Sequence, residues 1–185
     1  MCQIFVCKKG APNHEQLKDA SSLNSDGAGV AWEDKKQNKI LWKKCLDLDD
    51  VKKVIKKLEY PYIIHFRSAS TGGKSELLTQ PFPLDQDALA EEEGETKVGV
   101  LFHNGTWHSW EDKLLHHFLS GTKEIPPGPW NDSRAIAYLV GMYGPAILRF
   151  ISWGGGRLTT FRPGENILLY GDWTPATGED WWHSA

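Results

Sequence analysis

The sequence is poor in the features that mark out several large classes of protein. It has three cysteines, Cys2, Cys7 and Cys45, in 185 residues, too few and too scattered for a disulfide scaffold. Cys7 and Cys45 read as small core residues. No run approaches the roughly 20 apolar residues that a membrane helix needs. The opening MCQIFVCKKG has no charged leader ahead of a long apolar stretch, so it does not read as a signal peptide. Positive charge is not in excess: Lys plus Arg is 21 against 24 for Asp plus Glu, a net charge of −3. Neither a nucleic acid nor an anionic membrane is therefore an expected partner. The seven histidines do not fall into a metal spacing; His116 and His117 are neighbours on a helical stretch and point in different directions. No repeat is visible. What these absences leave is a protein of the reducing cytoplasm, with neither a metal nor a cofactor expected.

What is present suffices for one domain over residues 1–185, because 40% hydrophobic content supports a core. Short runs rich in β-branched and aromatic residues predict strands at 3–7, 29–33, 39–44, 62–67, 98–103, 147–153, 157–162 and 167–170. Two hairpins are expected, across EDKKQN (33–38) and across WGGGR (153–157). Val51, Val54, Ile55 and Leu58 form an apolar stripe, which predicts a helix over 49–58. Ser109 to Asp112 resembles a capping box ahead of LLHHFL, and a third helix is predicted from about Ser133 to Tyr143, ending near Gly144-Pro145. The acidic stretch 85–96 reads as a solvated loop. Mixed elements without regular β-α alternation indicate a layered α+β domain.

Two glycine-rich stretches tempt a phosphate-binding reading. Gly72-Gly73-Lys74-Ser75 would need a glycine at the position of Ser68 and a following helix, and neither is evident. Gly154-Gly155-Gly156 lies between two strand-like runs and reads as a turn.

Four motifs carry chemistry in combination: the Met1-Cys2 start, HFRSASTG (65–72), His103-Asn104-Gly105, and Asn131-Asp132-Ser133 opening a helix. DGAGVAW (26–32) and TQPF (79–82) accompany them. In this order they resemble the class II glutamine amidotransferases of the N-terminal-nucleophile (Ntn) hydrolase superfamily, over about residues 2–140. The resemblance implies a four-layer αββα sandwich, two stacked antiparallel sheets between helices. It also implies a glutaminase activity that releases ammonia from the side-chain amide of free L-glutamine.

Elementary chemistry suits each position to such a role. A thiol is a weak nucleophile until it loses its proton. With Met1 removed, which a small second residue permits, Cys2 carries its own base, an α-amine with a pKa of about 7.7–8.0. The alternative for Cys2 is a buried strand start. Arg67 offers paired donors that match a carboxylate, and the resemblance assigns it the α-carboxylate of glutamine; its alternative is a surface salt bridge. Ser70, where the family often has Thr, keeps a hydroxyl for the bound amino acid, and Thr71 and Gly72 shape the same loop. The Asn104 amide and the Gly105 N–H supply two donors for the oxyanion of a tetrahedral intermediate, although Asn-Gly is also a favoured turn. Asp132 would pair with the α-ammonium of the substrate. Its local alternative is a helix N-cap, a role that Asn131 can equally fill.

In family members the ammonia usually reaches a second, acceptor-specific domain. No region of that kind fits in this sequence, so the expectation is a free-standing glutaminase or a subunit that docks on an acceptor enzyme. The Trp-rich tail (171–185) could form that dock or fold back over its own sheet. Two competing functions are an Ntn-type hydrolase of another small amide and a non-catalytic binding module of the same fold.

Overall fold

The computed structural model describes residues 2–70, 75–121, 124–176, 178 and 180–184. Its larger sheet has seven antiparallel strands. They are β1 (Gln3–Cys7), β2 (Ala28–Asp34), β3 (Lys39–Leu46), β4 (Tyr62–Phe66), β6 (Glu93–Thr96), β10 (Thr174–Pro175) and β11 (Trp181–His183), in the order β10-β11-β1-β4-β2-β3-β6. The smaller sheet has four, β5 (Phe82–Pro83), β7 (Val100–Asn104), β8 (Arg157–Phe161) and β9 (Leu168–Tyr170), in the order β5-β7-β8-β9. Among the described residues five α-helices accompany them: α1 (His14–Leu23), α2 (Leu48–Ile55), α3 (Trp110–Ser120), α4 (Asp132–Tyr143) and α5 (Ile147–Trp153). None of the described helices is long and apolar enough to cross a membrane.

The period-2 alternation of the strands sorts their side chains into separate apolar clusters. Ile4 and Val6 of β1 join Ile63 of β4 and meet Val100 and Phe102 of β7 between the sheets. Phe5 and Cys7 point the other way with Ile64 and Phe66, against Leu17 of α1 and Val51 of α2. On the far face of the smaller sheet, Leu101 and Leu158 pack with residues of α3, α4 and α5. Each sheet is thus covered by helices on one face and by the other sheet on its second face. A mixed α+β chain with two antiparallel sheets results.

The predicted hairpin across 33–38 forms, with Trp32 opposite Leu41 and Glu33 opposite Ile40. Residues 147–153, expected as a strand, are instead helix α5. Ile147, Leu148 and Ile151 share a helical face towards α4, whereas Phe150 and Trp153 lie 66% and 77% exposed. A seven-residue apolar run fits either period, and tertiary burial decides between them. The glycines 154–156 accordingly join a helix to β8 rather than closing a hairpin. Helix α1 was not expected; Asn13 caps it in a reciprocal box with Gln16. Ser109 precedes α3 but makes no side-chain capping bond. Part of the acidic stretch, β6, pairs along the edge of β3. Cys7 is buried as expected, but Cys45 is only half-buried and has a left-handed φ of 62°.

The C-terminal tail folds back on its own sheet. Residues 181–183 pair with β1, Cys7 opposite Trp181 and Phe5 opposite His183, and the Trp181 ring lies 5.7 Å from that of Phe5. Trp181→Ala should therefore lower the unfolding free energy of the isolated chain by about 2 kcal/mol, less than a fully buried tryptophan would cost. Urea denaturation checks this; an unchanged midpoint would mean that Trp181 contributes nothing without a partner.

Candidate active site

Cys2 stands one residue before β1, which lies between β11 and β4. Gln3 is opposite Phe66, so Cys2 falls beside the residues that follow β4. Its Sγ accepts from the Ser68 N–H at 3.4 Å and lies 3.3 Å from the Ser68 carbonyl, to which the thiol donates. Burial pushes the thiol pKa up, partly offset by the Ser68 N–H and the positive charge of Arg67, while Asp132 pushes it further up. A thiol so placed stays protonated at neutral pH unless a base takes its proton.

Arg67 leaves β4 into a braced loop. The Asp26 N–H donates to the Arg67 carbonyl at 3.0 Å, and the Arg67 N–H donates to the Gly27 carbonyl at 2.8 Å. Asp26 Oδ2 then accepts from the Ala69 N–H at 2.8 Å. The Asp-Gly start of DGAGVAW thus fixes the course of the HFRSAS segment. The Arg67 guanidinium is buried and donates through Nη1 to the Ser75 carbonyl at 3.1 Å. Ser70 Oγ lies 3.5 Å from Thr106 Oγ1, across the cleft. Thr71, together with Gly72, Gly73 and Lys74, lies outside the described residues.

Asn104 ends β7, and Gly105 follows it. A Cβ at Gly105 would stand 3.0 Å from both Gly156 Cα and His103 Nε2, so this turn is packed too closely for a side chain. By strand alternation Asn104 faces the same inter-sheet space as Phe102. Its amide nitrogen donates to the Ser184 carbonyl at 2.5 Å and to Ser184 Oγ at 3.0 Å. Ser184 in turn binds the main chain of Ile4 in both directions. The structure therefore places Gly105 in the cleft wall and turns the Asn104 amide towards the C-terminal strand.

Asp132 opens α4, but the cap is Asn131, whose side chain accepts from the Arg134 N–H at 2.9 Å. The choice that the sequence leaves open is settled in this way. The Asp132 carboxylate accepts from the N–H of Ser133 at 2.8 Å and of Trp107 at 3.0 Å.

Cys2, Arg67, Ser70, Gly105 and Asp132, from four separate stretches of sequence, line one cleft. The same cleft is also lined by Gln80, His103 and Ser133, to which the sequence assigns no role. Each belongs to a quoted motif, yet nothing in residue type or spacing reveals its contacts. Two glycines of DGAGVAW make room for the Thr79-Gln80 segment. A Cβ at Gly29 would come within 1.8 Å of the Gln80 carbonyl oxygen, and one at Gly27 within 2.8 Å of Thr79 Oγ1. The cleft has about 20 Å³ of free space, room for about one water. Behind it, His65 is fully buried with neither ring nitrogen bonded among the described residues. Burial, aided by the positive charge of Arg67, pushes its pKa down to about 3 and keeps it neutral. No protein-family model and no curated protein matches the chain.

Lys44 holds the segment that carries Gln80. Its buried Nζ donates to the carbonyls of Leu77 at 3.0 Å and Pro81 at 3.4 Å, and sits 4.5 Å from the centre of the Phe82 ring. Burial pushes its pKa down to about 7 from 10.5. Between those two values the unfolded chain keeps a proton that the folded protein has released, so this group makes stability rise with pH across that window. Lys44→Met should flatten that rise in urea midpoints measured from about pH 7 to 10, relative to the unsubstituted chain. An identical slope in both proteins would show that Lys44 is charged throughout.

Proposed function

We propose that the chain is a class II glutamine amidotransferase-type glutaminase, using Cys2 as its nucleophile once Met1 is removed. The observation that carries this reading is the convergence of Cys2, Arg67, Ser70, Gly105 and Asp132 on one cleft. Two stacked antiparallel sheets with helices on their outer faces also agree with the αββα layering of the Ntn hydrolases.

In the proposed cycle the Cys2 α-amine takes the thiol proton and the sulfur attacks the glutamine Cδ, forming a C–S bond. The amide oxygen gains the negative charge, which the Gly105 N–H stabilises. The Asn104 amide joins it by exchanging the Ser184 carbonyl for the oxyanion. Collapse of the intermediate breaks the C–N bond, and the ammonium form of the α-amine protonates the departing nitrogen, giving ammonia. Water then cleaves the thioester to glutamate and free thiol. Arg67 grips the α-carboxylate and Asp132 the α-ammonium, charges that a glutamine within a peptide lacks. The ammonia is then released by a free-standing glutaminase or handed to an acceptor enzyme on which the chain docks.

The test is ammonia release from free L-glutamine, with N-acyl amides as competitors. Cys2→Ala should abolish it. Arg67→Lys and Asp132→Asn should each raise KM roughly 10- to 100-fold, the loss of a charge-assisted contact. The rate should rise with pH through the α-amine pKa of about 7.7–8.0, because only the neutral amine accepts the thiol proton. Equal turnover of N-acyl amides would instead favour a hydrolase of another class of amide, and retained activity in Cys2→Ala would exclude the nucleophile.

A further inference from the structure

Gln80 does more than line the cleft. Its side-chain amide is matched to the main chain of His103 in both directions: Oε1 accepts from the His103 N–H at 2.5 Å and Nε2 donates to the His103 carbonyl at 2.8 Å. Gln80 thereby continues, with a side chain, the ladder that Phe82 and Pro83 make with β7. Its Nε2 also donates to Ser133 Oγ at 3.1 Å, at the start of α4. Ser133 Oγ lies 3.2 Å from His103 Nδ1 and 3.4 Å from Asp132 Oδ1.

The donors and acceptors of this hub fit together in one way. Asp132 Oδ2 is 3.9 Å from His103 Nδ1, so a proton belongs on that nitrogen rather than a lone pair facing a carboxylate. Burial pushes the His103 pKa down, against the pull of Asp132, so the ring is neutral with its proton on Nδ1. Ser133 Oγ then accepts from Gln80 Nε2 and from His103 Nδ1, and donates its own proton to Asp132. Every valence of the hydroxyl is used. The other ring nitrogen of His103 faces Gly105, 3.0 Å from where its Cβ would stand. None of Gln80, His103, Asp132 and Ser133 exposes more than 4% of its surface, and a satisfied polar network at that depth is rigid. The anchor beneath it is firm too, since the Gln80 main chain rests on Gly29 and is flanked by the two carbonyls that Lys44 holds.

We propose that Gln80 is a positioning residue that, through Ser133 and His103, fixes the oxyanion turn at Gly105 and the carboxylate of Asp132 relative to each other. The roles given to those two ends rest on the glutaminase reading; the tie between them does not. One hydrogen-bonded circuit thus sets the distance between the donor at the reacting carbon and the clamp on the amino-acid head group. The separation of the side-chain amide from the α-ammonium in free glutamine is what that distance would select.

Amide hydrogen exchange and steady-state kinetics on the full chain test the proposal together. Ser133→Ala removes the hub with little change in volume, and Gln80→Leu removes the strap; Ser133→Thr restores the hydroxyl. In the first two variants the Trp107 amide, which donates to Asp132, and the His103 amide, which donates to Gln80, should exchange roughly 10-fold faster or more. Those of β1 and β4 should not change, and Ser133→Thr should recover protection. In glutamine hydrolysis, kcat should fall and KM rise together in Ser133→Ala, while stoichiometric labelling by a glutamine-like electrophile stays at one per chain. Unchanged exchange at Trp107 and at His103 in both variants would overturn the proposal. Faster exchange in a chain that does not hydrolyse glutamine would uphold the tie and refute the glutaminase reading. A loss of protection spread over the whole chain in Ser133→Ala would also overturn it, since that marks a general structural role.

Discussion

Everything in the site depends on the antiparallel register between β1 and β4. With Gln3 opposite Phe66 and Ile4 opposite His65, the residue ahead of β1 is carried to the residues behind β4. That places the Cys2 sulfur on the Ser68 main chain and next to the charge of Arg67. A slip of one residue would turn the even-numbered side chains of β1 from the inter-sheet space to the helix-covered face. The register is held on both sides of β1: by β4, whose Ile63 and Ile64 are fully buried, and by the C-terminal strand, whose Ser184 binds Ile4 in both directions.

Around that register the cleft is built from groups that are buried and largely neutral. His65 and His103 are pushed down in pKa by burial, and the Cys2 thiol is pushed up. A low-dielectric wall of this kind strengthens any charge interaction made within it, and on the proposed glutaminase reading Arg67 and Asp132 would gain leverage over a zwitterionic ligand. It also leaves the thiol dependent on a base close at hand, which in the proposed cycle is the α-amine of a processed N-terminus.

The sequence made the strands that build the site legible because each is strongly apolar and short, with Gly or polar turns at its ends. It made the helix over 132–143 legible through its cap and its stop at Gly144. Helix α5 escaped because a seven-residue apolar run has no decisive period, and the tail strands escaped because β11 is only three residues long. Within the site, motif order pointed to Cys2, Arg67, Gly105 and Asp132 and to their common cleft. It did not show that Asn131 is the cap, that the Asn104 amide meets Ser184 eighty residues away, or that Gln80 straps His103 to α4. Those contacts join residues distant in sequence, and a side-chain amide carries no local sign of where its hydrogen bonds will go. Gly29 does carry such a sign, since a glycine inside a strand marks close approach of other backbone, and here that backbone is Gln80.

The central claim is that Cys2, and no other residue, is the group presented to the amide carbon of glutamine. The most direct measurement is to incubate the protein with diazo-oxo-norleucine, a glutamine-like electrophile, and to map the adduct by peptide mass. The account predicts one adduct per chain, on Cys2 at an N-terminus from which Met1 is gone, with free L-glutamine protecting against it. An adduct on Cys45 or elsewhere, no adduct at all, or an N-terminal peptide that still carries Met1 would contradict it.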